Sequence, residues 1–106
     1  MNRLINRVAI ITGGAAGIGR ATATLFASEG SISIIWDLDE VRGSELVKEL
    51  TEKGFRAEFF KVNTSNYSEI EAAAAAVFNK YGSIDILINN AGITRDASLK
   101  KMTPEI

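Results

Sequence analysis

Four apolar runs recur along the chain, and a helical stretch closed by a glycine separates each from the next. The runs are VAIIT (8–12), ISIIW (32–36), AEFFKV (57–62) and IDILIN (84–89). Continuous β-branched runs of this length predict strands covered on both faces. Between them, Ile18, Ala21, Thr22, Leu25 and Phe26 share one predicted helical face. Gly43, Leu46, Val47 and Leu50 share a second, and Ile70, Ala73, Ala74, Val77, Phe78 and Tyr81 a third. Gly30, Gly54 and Gly82 follow these stretches, where the last turn favours a left-handed residue. Strand–helix–strand repetition requires crossover connections, hence parallel strands in right-handed units. The expected fold class is α/β: a doubly wound parallel sheet in the order 3-2-1-4, with helices on both faces. At 106 residues without a linker, residues 1–106 are expected to form a single domain.

What the chain lacks narrows its chemistry. It has no cysteine and no histidine. A disulfide framework, a thiol nucleophile, thiolate zinc sites and Ser–His–Asp hydrolysis are therefore excluded for this chain, and no metal site is expected. The net charge of −1 gives no reason to expect nucleic acid or an anionic membrane as a partner. The apolar run near the N-terminus, VAII, is too short for a signal peptide or a membrane span, so a cytoplasmic location is expected.

The segment TGGAAGIG (12–19) lies between the first strand and the first helix. Glycines 13, 17 and 19 let backbone N–H groups and a helix N-terminus approach a pyrophosphate. Taken alone, such a segment is also a plain βα turn. Asp37 ends the second strand, 18 residues after Gly19. A carboxylate there can accept hydrogen bonds from both adenosine ribose hydroxyls and repel a 2′-phosphate, which favours NAD over NADP. The segment NNAG (89–92) ends the fourth strand. With strands 1 and 4 adjacent, its small residues and amides flank the glycine loop at the switch point of a Rossmann-type sheet.

Together, TGGAAGIG, Asp37 and NNAG resemble the N-terminal half of a short-chain dehydrogenase/reductase. The extension NNAGITRDASLKKMT is most similar to the branch of β-ketoacyl-(acyl-carrier-protein) and acetoacetyl-CoA reductases. The resemblance implies hydride transfer between a nicotinamide and a carbonyl or alcohol, with an acyl thioester as a candidate substrate and a homo-oligomeric assembly. It implies that Gly13, Gly17, Ile18 and Gly19 line the pyrophosphate and that Asp37 binds the ribose. Asn63, at a position often Asp in the family, would face the adenine amino group, with Thr64 along the adenine edge. Asn90, Ala91 and Gly92 would lie near the ribose, and Thr12 would support the loop through its hydroxyl.

The family's catalytic set is an Asn, a Ser and a Tyr-x-x-x-Lys pair, in which Lys lowers the Tyr pKa. Here Tyr67 is followed at that spacing by Glu71, and Tyr81 by Asp85, so no residue is assigned as catalytic. A P-loop is excluded because Arg20 and Ala21 stand where Lys and Ser/Thr belong. A methyltransferase would not carry NNAG. A non-catalytic nucleotide-binding or regulatory module is the alternative. Thr103, Pro104 and Glu105 suit an N-cap, a first helical position and a first turn, yet the chain ends at Ile106. The expectation is a piece of a longer oxidoreductase, inactive alone, with strand 84–89 left as an edge prone to self-association.

Overall fold

The computed structural model describes residues 3–90. The observed elements are β1 (Val8–Thr12), α1 (Gly17–Ser28), β2 (Ile32–Asp37), α2 (Glu40–Glu52), β3 (Arg56–Lys61), α3 (Tyr67–Tyr81) and β4 (Ile86–Asn89). They form a parallel sheet in the order β3-β2-β1-β4. The expected fold class is therefore the observed one. Ala91 and Gly92, and the helix start around Thr103–Glu105, lie outside the described residues.

Alternation along the strands divides the core in two. Val8, Ile10, Ile32, Ile34 and Trp36 face Val62, Ala73 and Val77 on the α3 side. Ala9, Ile11 and Ile35 face Ala23, Ala27, Leu46 and Leu50 on the α1–α2 side. The central strands β1 and β2 are buried almost throughout, which is why their sequences read as continuous apolar runs. The outer strands differ from expectation. β3 is half-buried with exposed ends, and every residue of β4 is half-buried. Each pairs on one side only among the described residues, so neither is enclosed as β1 is.

Two boundaries also move. The third strand begins one residue earlier than expected and ends at Lys61; Val62 is buried beyond it, its N–H donating to the Asp37 carbonyl at 3.2 Å. Ile84 and Asp85 are not part of β4. Asp85 turns back onto β1: its N–H reaches the Val8 carbonyl at 2.9 Å, and its carboxylate accepts the Val8 N–H at 2.8 Å.

The expected α1 face needs correcting. Ile18 and Leu25 are 73% and 57% exposed, and the buried stripe is Gly19, Ala23 and Ala27, flanked by Phe26. Close approach to the sheet selects small side chains, so the bulky apolar residues do not mark the packed face. Gly43 shows the same effect on α2: a Cβ there would come within 2.2 Å of the Phe59 ring. The α2 face is otherwise as expected, as is α3 except for exposed Phe78. Gly30, Gly54 and Gly82 all have positive φ, as the helix-end reading requires.

Candidate functional site at the carboxyl rim of the sheet

Parallel strands direct all their carboxyl ends to one rim, so the β1–α1, β2–α2 and β3–α3 connections and the end of β4 share it. The glycine loop follows β1 at the centre. Gly13 takes φ +65°, and its N–H donates to the Trp36 carbonyl at 2.8 Å, tying the loop to β2. Gly17 takes φ +58°, a conformation costly for an L side chain. At Gly19 the limit is space. A Cβ would stand 2.1 Å from the Gly13 carbonyl oxygen and 2.8 Å from the Asn90 amide nitrogen.

The start of α1 has an unusual finish. Its N-cap is Ala16, which offers no side-chain acceptor, and its first turn holds no acid. Arg20 N–H makes the first turn's bond to the Ala16 carbonyl, leaving the N–H groups of Gly17, Ile18 and Gly19 directed along the axis toward the rim. Exposed Ile18 sits on that turn. The other two helices starting at this rim are closed by side chains. Asp39 accepts the Arg42 N–H at 3.0 Å, and Asn66 accepts the Glu69 N–H at 3.2 Å.

Asp37 stands beside the loop at the end of β2. Its Oδ2 accepts the Ala15 N–H at 3.1 Å, and its Oδ1 accepts the Asp39 N–H at 3.0 Å. The carboxylate thus links the glycine loop to the β2–α2 turn, a structural role that spacing alone did not reveal. A carboxylate offers about four lone-pair sites, so acceptors remain for two hydroxyls.

Strand β4 closes the other side. Thr12 Oγ1 lies 3.1 Å from Asn89 Oδ1, joining the carboxyl ends of β1 and β4. Through this bond the Thr12 hydroxyl, at the foot of the glycine loop, reaches β4. Asn90 Nδ2 donates to the Gly13 carbonyl at 3.3 Å, so this amide does flank the glycine loop and ties the end of β4 to it. Asn63 and Thr64 lie half-buried after β3. The Asn63 side-chain oxygen accepts the Ser65 N–H at 2.9 Å, so the acceptor assigned to adenine already holds a turn and retains one lone pair. Its N–H donates to Glu69, which ties this loop to the start of α3.

Near the sheet's β3 edge, away from these residues in sequence, Glu58, Lys80 and Tyr81 form a polar cluster. Tyr81 Oη donates to Glu58 at 2.6 Å and Lys80 Nζ at 3.0 Å. Burial pushes the Glu58 carboxyl up, but the bonds from Tyr81 and Lys80 and the lysine charge bring it below its ordinary value. Burial and the Glu58 bond raise the Tyr81 phenol. Neither tyrosine has the Lys spacing of a catalytic pair. Among the described residues no group of three His, Cys, Asp or Glu could hold a metal, and no helix is long and apolar enough to cross a membrane.

A parallel 3-2-1-4 sheet with a glycine turn at its switch point defines a Rossmann-type protein. The chain belongs to the short-chain dehydrogenase family, whose model matches residues 7–106. It is 43% identical over 103 residues to the 3-oxoacyl-[acyl-carrier-protein] reductase FabG of Thermotoga maritima, covering 97% of this chain and 42% of that protein. It is 40% identical to galactitol 2-dehydrogenase of Agrobacterium fabrum, covering 97% and 39%. A short-chain dehydrogenase/reductase from Burkholderia phymatum, solved in complex with NAD, superposes with a TM-score of 0.77 at 31% identity, covering 82% of this chain and 31% of that one. The chain thus spans about two fifths of the length of the curated relatives it matches.

Proposed function

We propose that this protein binds a nicotinamide dinucleotide and serves an oxidoreductase that transfers hydride between the nicotinamide and a carbonyl or alcohol. The observation that carries the reading is the convergence of an uncapped α1 start, the Asp37 carboxylate and the Asn90 amide on one glycine loop. The fit is steric as well as polar. Gly19 has no room for a side chain, and the loop backbone is free to lie against a pyrophosphate. Gly13, Gly17, Ile18 and Gly19 hold the pyrophosphate, and Asp37 accepts from the adenosine ribose. Asn63 and Thr64 border the adenine, and Asn90, followed in sequence by Ala91 and Gly92, lies near the ribose. When bound, the cofactor supplies the hydride acceptor or donor; this chain's residues bind and orient it.

NAD is preferred over NADP because a 2′-phosphate would meet the Asp37 charge. The relatives' names and the sequence around 89–103 favour a 3-oxoacyl thioester as the substrate class, and a cytoplasmic setting follows from that metabolism. The test is calorimetric titration with NAD and NADP, beside an assay of NADH oxidation with acetoacetyl-CoA. NAD should bind more tightly than NADP, and the 106-residue chain should bind without turnover, because it holds no Tyr-x-x-x-Lys pair. Equal affinities would overturn the selectivity, and turnover would overturn the assignment of a binding role alone. Residues 1–106 act as one folding unit in this reading. Copies of it associate along β4, and a concentration-independent monomer in light scattering would refute that.

A further inference from the structure

The polar cluster of Glu58, Lys80 and Tyr81 takes no part in the rim; it stands on the outer strand β3. The Val62 N–H turns toward β2, where it meets the Asp37 carbonyl. Alternation along the strand then turns the N–H groups of Ala57, Phe59 and Lys61 to the open side. Among the described residues no strand pairs with that side. The strand reads RAEFFK, β-prone and apolar between its charged ends except for one acid. An open edge of this kind is a template for a second copy of the same strand. Glu58 is the register partner of buried Ile34, so its side chain faces inward, toward the α3 side of the core. It remains 29% exposed. Tyr81 Oη and Lys80 Nζ both donate to its Oε1, which leaves Oε2 to solvent. Burial raises this carboxyl, but the two bonds hold it below its ordinary value, so it is charged at neutral pH.

We propose that Glu58, held in place by Tyr81 and Lys80, guards the β3 edge against pairing with β3 of a second copy of this chain. The guard works by desolvation. A strand added beside β3 would lay its side chains over the open flank of Glu58 and remove the solvent that Oε2 depends on. A carboxylate oxygen buried without a donor is costly, and the cost opposes the gain from new backbone hydrogen bonds. In the two-fold register that sets Glu58 opposite Glu58 of the second copy, like charges also meet directly. Tyr81 and Lys80 are positioning residues: they keep the carboxylate ionised and fixed on the strand without enclosing it. The other outer strand has no such device. β4 reads ILIN, with no charge, so the guard distinguishes the two edges of the sheet. This inference is independent of the cofactor reading.

The test is sedimentation velocity over a concentration series, with amide hydrogen exchange, on the protein and on Glu58→Val, Glu58→Gln and Tyr81→Phe. Glu58→Val should lower the concentration of half-association by a factor of about ten or more. The Ala57, Phe59 and Lys61 amides should gain protection as it associates. Glu58→Gln, neutral but still able to accept from Tyr81, should move the same way by less. Tyr81→Phe removes the same hydrogen bond and leaves the charge. It should lower the Tm while association stays at the level of the unaltered protein. A Glu58→Val protein that associates no more than the unaltered one, or that gains no protection in β3, overturns the guard. So does Tyr81→Phe associating as strongly as Glu58→Val, because loosened packing would then be the cause. Association along β4 is read separately, at the amides of residues 86–89. Thermal melts report folding: if Glu58→Val is unfolded, the same β3 protection is required of Glu58→Gln, and its absence overturns the guard.

Discussion

Three helices start at the same rim of the sheet, and one is built differently. α2 and α3 each begin with a capping side chain and carry an acid in the first turn, Glu40 and Glu69. α1 has neither. The missing cap forgoes about 1 kcal/mol of helix stability, so a physical reason is wanted for leaving it out. The reason is in the loop before it. Gly13, Gly17 and Gly19 bring backbone close to backbone, and a capping carboxylate there would repel the anion that the helix start is shaped to receive. In the proposed reading, two ends are closed for stability and one is left for a ligand.

The sharpest way to break this comparison is Gly19→Ala. Its Cβ would collide with the Gly13 carbonyl at 2.1 Å, so the loop must shift. The expected result is destabilisation of about 1–3 kcal/mol in denaturant melts and loss of measurable NAD binding. Gly54→Ala supplies the contrast. Gly54 has positive φ, +85°, where Gly19 does not, but nothing lies within 4 Å of its Cβ, so the change should cost about 1–2 kcal/mol from backbone strain with NAD affinity unchanged.

Giving α1 the finish of its neighbours sharpens the point. Ala16→Asp should stabilise the fold by about 0.5–1 kcal/mol while weakening NAD binding at least tenfold. Asn66→Ala should do the reverse, costing about 1 kcal/mol with no effect on binding. If Ala16→Asp left affinity intact, α1 would be uncapped for some reason other than a ligand.

The smallest effect concerns pH and lies away from the rim. The Glu58 pKa is lowered in the folded protein, so its contribution is present above the ordinary carboxylate range and disappears as pH falls through the folded value. Asp85, held down first by the Val8 N–H, acts in the same direction. The Tyr81 phenol is raised, so its contribution is present below about pH 10 and is lost above that as it ionises. Melting temperature should therefore fall below about pH 4 and again above about pH 10. Glu58→Gln should flatten both limbs, measured by differential scanning calorimetry in low salt.

Much of the fold was legible because it rests on local rules. β-Branched runs, helical spacing and terminal glycines specify alternating elements, and right-handed crossovers then permit few strand orders. The α1 face was misread because hydrophobicity was taken as the mark of burial. Contact with the sheet there depends on Gly19, Ala23 and Ala27 being small, and Ile18 and Leu25 point outward. The strand edges were misread for a related reason: apolar composition does not say whether a neighbour covers both faces.

At the site, the sequence by itself determined the residue types. Glycines occur where backbone must come close, an acid ends β2, and amides end β4, all in an order that a parallel sheet brings together. Only the tertiary structure decided their partners. It placed Asp37 on the Ala15 and Asp39 N–H groups, turned the Thr12 hydroxyl toward Asn89, and set Lys61 beside Asp37 but in the grip of Glu40. The physical reason is range. Spacing along a chain fixes conformation over a few residues, whereas hydrogen bonds between residues 22 or 77 positions apart exist only once the strands have paired in register.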